Sequence, residues 1–205
     1  MANTIQTLIE QRVSTNHFDT TCPVTDDQVN ELVRLATLAP SAYNFQNWKF
    51  VAVRSQEAKE RLMAVAYGQG KVVAAAVTFI VCGTLAAHKT LGRNLQPSVD
   101  SGILPKPVVD AWVSMAAGSH EGNPQLQRDE AFRSASLAAM TLMLAAQGMG
   151  LSTGPMSGFD AAGVAREFKL SADEVPVILV TVGYPAQGNW PQKPRRPVRD
   201  VLATA

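Results

Sequence analysis

The sequence predicts an α+β fold, and three observations carry that expectation. Two apolar, β-prone runs, residues 77–82 and 176–184, have the composition of buried strands. Residues 125–147 read as one long helix whose second half, SLAAMTLMLAAQG, is apolar nearly all round. The elements follow one another as helix, helix, strand, helix, strand, helices, strand-like turn, helix, strand. Strands and helices do not alternate regularly, which disfavours a doubly wound dinucleotide fold.

The elements follow from local chemistry. Ile5, Leu8, Ile9 and Arg12 have helical spacing, so a first helix ends near Val13. Thr25 with Gln28 three residues later forms a capping box, and Asp26 and Asp27 suit the first turn. Val29, Leu32, Val33, Leu35 and Ala36 continue that helix until Pro40 stops it. Residues 48–54 alternate as a strand. Ser55 caps a helix through Ala66, and residues 71–75 add one helical turn before the central strand at 77–82. Residues 91–107 contain Gly92, Pro97, Gly102, Pro105 and Pro107, so an irregular excursion is expected there. Residues 108–117 read as helix, and 118–124 as a loop. The long helix must bury most of its sides, either in a subunit interface or in a monomer core. Gly148 and Gly150 end it. Asp160 starts a short helix to Phe168. From about residue 185 the chain is rich in Pro, Gly and Gln, and reads as an extended surface arm.

Composition narrows the function classes. At 205 residues one domain spanning 1–205 is expected, and a net charge of +1 gives no global attraction for nucleic acid or anionic membranes. The longest apolar run, Val72–Ala87, is short for a membrane span and is broken by Thr78, Gly83 and Thr84. The first fifteen residues contain Glu10 and no apolar core like that of a secretory leader, so a cytoplasmic location is expected. Cys22 and Cys82 make no disulfide framework, and His17, His88 and His120 are scattered, so no metal set is visible. Gly148, Gly150 and Gly154 miss the dinucleotide spacing and follow a helix. Residues 154–158, GPMSG, are not a nucleophile elbow. With no nucleophile pattern in the chain, reaction chemistry is expected from a cofactor.

Three polar clusters remain at the edges of these elements: Arg12–Phe18 (RVSTNHF), Ala39–Trp48 (APSAYNFQNW) and Lys193–Pro197 (KPRRP). Arg and Ser donors suit a phosphate, and Asn and Gln suit the edge of a heterocycle. These clusters, together with GQGKVVAAAVTFIV and GLSTGPMSGFD, resemble the nitroreductase family of flavoenzymes in type, order and spacing over residues 12–202.

The resemblance implies a central, mostly antiparallel sheet flanked by helices and an intertwined homodimer with FMN in clefts between subunits. Arg12, Val13, Ser14, Lys193 and Arg195 match positions that hold the phosphate and ribityl chain. Pro40, Ser41 and Asn44 match a loop reaching the flavin from the other subunit. Asn16 and Gln69 match residues at the pyrimidine edge, and Pro155, Met156, Ser157 and Gly158 match a segment over the ring, with the Ser157 N–H near flavin N5. Tyr43, Phe45 and Trp112, with the 91–123 excursion, are expected to shape an acceptor pocket. Asn16 departs from the usual Lys or Arg, a change expected to lower the flavin potential unless Lys71 substitutes. Asn47 stands for a usual Pro, and Ser157 for a frequent acid. The implied activity is ping-pong hydride transfer from NAD(P)H to a small electron-poor acceptor such as a quinone or nitroaromatic. The alternatives are a flavin-binding or flavin-consuming protein without such turnover, and a dimeric interaction domain whose polar clusters are only loops.

Overall fold

A computed structural model describes residues 4–205. Four strands form one sheet in the order β1-β2-β4-β3, with every neighbour antiparallel: β1 (Trp48–Val53), β2 (Val77–Thr84), β3 (Ser152–Met156) and β4 (Glu174–Gly183). The two apolar runs of the sequence are thus the two central strands. Their side chains alternate between two cores, as a strand's period of two requires. Phe79, Val81, Val180 and Val182 face one, with residues of α2 (Asp26–Ala36) and the long α7 (Pro124–Gly148). Ile80, Cys82 and Leu179 face the other, with Leu62 of α3 (Gln56–Val65), Val72 of α4 (Lys71–Ala74) and Val164 of α8 (Ala161–Glu167). The sheet is therefore covered on both faces. Burying a side chain such as Leu32 or Leu62, both fully enclosed, contributes about 1.5–3 kcal/mol.

The helix ends follow the local signals. The first helix, α1, spans Ile5–Gln11. The Thr25 hydroxyl accepts from Gln28 N at 3.2 Å while Gln28 Oε1 accepts from Thr25 N at 2.9 Å, completing the capping box of α2. Asp160 stands at the start of α8, but its carboxylate makes no capping bond. Cys82 is buried and Cys22 half-buried.

The expected irregular excursion is instead helical. Leu91–Asp100 form α5 with Pro97 inside it, and Lys106–His120 form α6. Pro97 removes one intrahelical bond, a cost of about 3 kcal/mol in a helix interior. Leu91 and Leu95, one turn apart and both enclosed, drive the segment into a third core with Phe45, Val109 and Ala116. Asn94 Nδ2 also donates to the Phe45 carbonyl at 3.0 Å. Gly102, at φ +72°, supplies the left-handed residue that ends α5. The loop expected at 118–124 shrinks to 121–123, since α6 runs on to His120.

The strand-like turn is a true edge strand. Pro155 is tolerated in β3 because an edge strand has one unpaired side. Gly154 has a different role. The outer side of β3 receives Thr15, whose N–H donates to the Thr153 carbonyl at 2.9 Å. A Cβ on Gly154 would lie 2.5 Å from the Thr15 carbonyl oxygen.

Candidate functional site

The site is assembled along that outer edge. Ser14 bridges Thr153 in parallel, and Phe18 bridges Pro185 in antiparallel sense. The C-terminal arm then folds back along residues 12–19. Asp19 N donates to the Tyr184 carbonyl at 2.8 Å, and Ala186 N to that of His17 at 3.0 Å. Asn189 clamps the pair: its Oδ1 accepts from Asn16 N at 2.8 Å and His17 N at 3.0 Å, and its Nδ2 donates to the His17 carbonyl at 2.8 Å. Gln192 Nε2 reaches the Arg12 carbonyl at 3.2 Å.

This zipper carries Lys193 and Arg195 to Arg12. The three cations, with Val13, Ser14 and Gln192, line one small cavity of about 50 Å³. Among the described residues none of the three has an acidic partner. Burial, and then the neighbouring Arg195 charge, pull Arg12 below the ordinary guanidinium value. Like charges converging without a counter-ion suit an anion with several oxygens.

A second opening lies beside the first, lined by Asn16, Gln69, Gly70 and Lys71. Gln69 Nε2 donates to the Gly158 carbonyl at 2.7 Å and to that of Ala66 at 3.2 Å. That joins Gln69 to the 155–158 segment and leaves its Oε1 as an acceptor. Lys71 Nζ lies 3.5 Å from Asn16 Oδ1, and burial lowers its pKa. Ser157 follows the end of β3 and is exposed, and its N–H has no acceptor among the described residues.

Pro40, Ser41 and Asn44 stand apart. No hydrogen bond or shared cavity among the described residues ties them to Arg12, Gln69 or Ser157. Their loop is strained: Tyr43, Asn44 and Gln46 have φ of 52°, 60° and 52°. The Ser41 hydroxyl braces it by accepting from Gln46 N at 2.9 Å. Asn47, buried behind the loop, donates weakly from Nδ2 to the Thr84 carbonyl at 3.4 Å. Phe45 is corrected to a packing role. It is 1% exposed, with its ring 5.4 Å from Tyr43 and 5.2 Å from His120. The α5–α6 pair, of which α5 stands where a loop was expected, encloses it. Tyr43 and Trp112, 6.2 Å apart, remain half-buried on the flank of that cluster.

Asn189, Gln192 and Gly154 were not foreseen. Asn189 acts on residues 173 positions away, a separation no local pattern reports.

The nitroreductase family profile matches residues 9–184. The chain is a member of the nitroreductase family. It is 36% identical over 197 residues to MhqN of Bacillus subtilis, provisionally named an NAD(P)H nitroreductase, covering 95% of this chain and 96% of that protein. It is 33% identical to the protein DrgA of Synechocystis, over 85% of this chain and 81% of that one. The crystal structure of an Exiguobacterium sibiricum protein in complex with FMN superposes with a TM-score of 0.91 at 27% identity, covering 100% of this chain and 99% of that one. As in other nitroreductase-family oxidoreductases, the sheet and its flanking helices form the expected α+β fold. No described helix is long and apolar enough to cross a membrane. Among the described residues no group of His, Cys, Asp and Glu is placed to hold a metal.

Proposed function

We propose that this chain, as a single domain with an arm from about residue 185, forms a homodimer that binds FMN. It transfers reducing equivalents from NAD(P)H to a quinone, nitroaromatic or similar small acceptor by a ping-pong cycle. The observation that carries the reading is the convergence of Arg12, Lys193 and Arg195 beside the Asn16–Gln69–Lys71 opening.

The residues present fit FMN. Arg12, Ser14, Lys193 and Arg195 would hold the phosphate, with Val13 against the chain that follows it. Gln69, its amide hydrogens already committed, would accept from the imide of the ring. Lys71 would face the side of the ring that becomes anionic, supplying the cation that Asn16 lacks. Asn16 would orient that ammonium. Pro155, Met156, Ser157 and Gly158 would lie along the ring, the free Ser157 N–H offering a donor. When bound, FMN would accept hydride at N5 and release it to the acceptor. The protein's part is position and electrostatics.

The separate placement of Pro40, Ser41 and Asn44 suits a loop that serves the cleft of a second copy. An unpartnered apolar face supports that second copy. Leu137 and Met140 of α7 are 46% and 37% exposed, and Ile5, Leu8, Leu35, Leu38 and Leu144 line an apolar groove nearby. Tyr43 and Trp112 would border the acceptor site.

The test is optical. The purified protein is expected to be yellow, to bleach with NAD(P)H under argon, and to regain colour on adding a quinone. Initial rates against both substrates are expected to give parallel reciprocal plots. A yellow protein that NAD(P)H does not bleach would favour flavin binding without turnover. A colourless protein that takes up no FMN would overturn the proposal.

A further inference from the structure

A further cavity lies apart from the cleft described above. It has a volume of about 750 Å³ and lies between the 19–24 loop, the start of α3 and the end of α4. That size falls within the range of about 300–1,000 Å³ common for small-molecule sites. It shares only Gly70 with the Asn16–Gln69–Lys71 opening.

Its polar groups are unequally satisfied. The Asp19 carboxylate accepts from Thr21 N at 2.9 Å, Thr21 Oγ at 2.6 Å and Cys22 Sγ at 3.4 Å. The Arg54 guanidinium is tied to the Asp26 carboxylate and donates to the Val24 carbonyl at 2.7 Å. Lys59 is different. Its ammonium donates to the carbonyls of Val73 at 2.8 Å and Ala75 at 2.9 Å, and has no acidic partner among the described residues. An ammonium has three hydrogens, so one is left over. Burial lowers its pKa, a penalty that a nearby anion would relieve. Part of the wall is apolar, formed by Pro23, Val73 and Ala74, with the side chain of Val24 enclosed in the core.

We propose that this cavity is a second ligand site, binding a small organic carboxylate whose charged end meets Lys59 and whose apolar body lies on Pro23, Val73 and Ala74. The site is independent of the flavin proposal, since it shares none of the residues assigned to FMN.

The test uses hexanoate as probe, and hexanamide as its uncharged counterpart, on the purified protein with methyl-labelled valines. Hexanoate is expected to move the Val73 methyl signals saturably, and hexanamide to leave them in place. Lys59→Met should weaken hexanoate at least about tenfold, the usual scale for losing a charge-assisted hydrogen bond. Gln56→Trp, at an exposed position on the rim, should block binding without disturbing the core. The proposal is overturned if hexanoate leaves those methyls unmoved, if hexanamide matches it, or if Gln56→Trp binds as the parent does.

Discussion

Gly154→Ala tests how the site is built. The added Cβ would lie 2.5 Å from the Thr15 carbonyl oxygen and 2.6 Å from Thr181 Oγ1. The first is backbone. The second is fully buried and already donates to the Gly154 carbonyl at 3.0 Å. Neither can withdraw freely, so the 14–15 segment must move off β3. Overpacking costs about 1–3 kcal/mol, and losing the Thr15 N–H to Thr153 bond adds about 1 kcal/mol. A loss of about 2–4 kcal/mol is expected from these terms together. Urea unfolding of the flavin-free protein, followed by circular dichroism, measures it. Because Ser14 moves with the displaced segment, FMN affinity by fluorescence quenching should fall at least about tenfold. A stability change within about 0.5 kcal/mol together with unaltered FMN affinity would refute the reasoning.

Gly83→Ala is the matching control: its Cβ would meet the Ala131 carbonyl oxygen at 2.3 Å, so unfolding should shift comparably while the folded protein keeps its FMN affinity. Arg12→Ala should weaken FMN by about 10- to 100-fold and barely affect riboflavin, which lacks the phosphate; parallel fluorescence titrations separate the two. Lys71→Met should lower the flavin midpoint potential by about 20–50 mV, read by dye-equilibrated reduction, and Asn16→Lys should raise it. Leu137→Asp, on the exposed face of α7, should shift sedimentation toward a single chain and release the flavin.

Much of this was legible in residue order. The capping box at Thr25, the apolar, β-prone runs of β2 and β4 and the apolar length of α7 each follow from local sequence. The residues that meet at one small cavity were legible too, because Arg12, Ser14, Lys193 and Arg195 sit in short basic or hydroxyl-rich runs. The failures have physical causes. Pro97 and Gly102 signal a loop, yet Leu91 and Leu95 bury enough surface to impose a helix. Pro155 and Gly154 signal a turn, yet the first is allowed by a strand edge and the second is required by the close approach of Thr15. Phe45 looked like a pocket wall because α5, which packs over it with α6, was expected to be a loop. Asn189 and Gln192 act through contacts more than 170 residues apart, which no window of sequence contains.

Native mass spectrometry of the purified protein tests the proposed shared flavin cleft most directly. The expected species holds two 21.9 kDa chains and two FMN molecules, and loses flavin when it splits. A single chain that retains FMN, or a dimer that carries none, would contradict it.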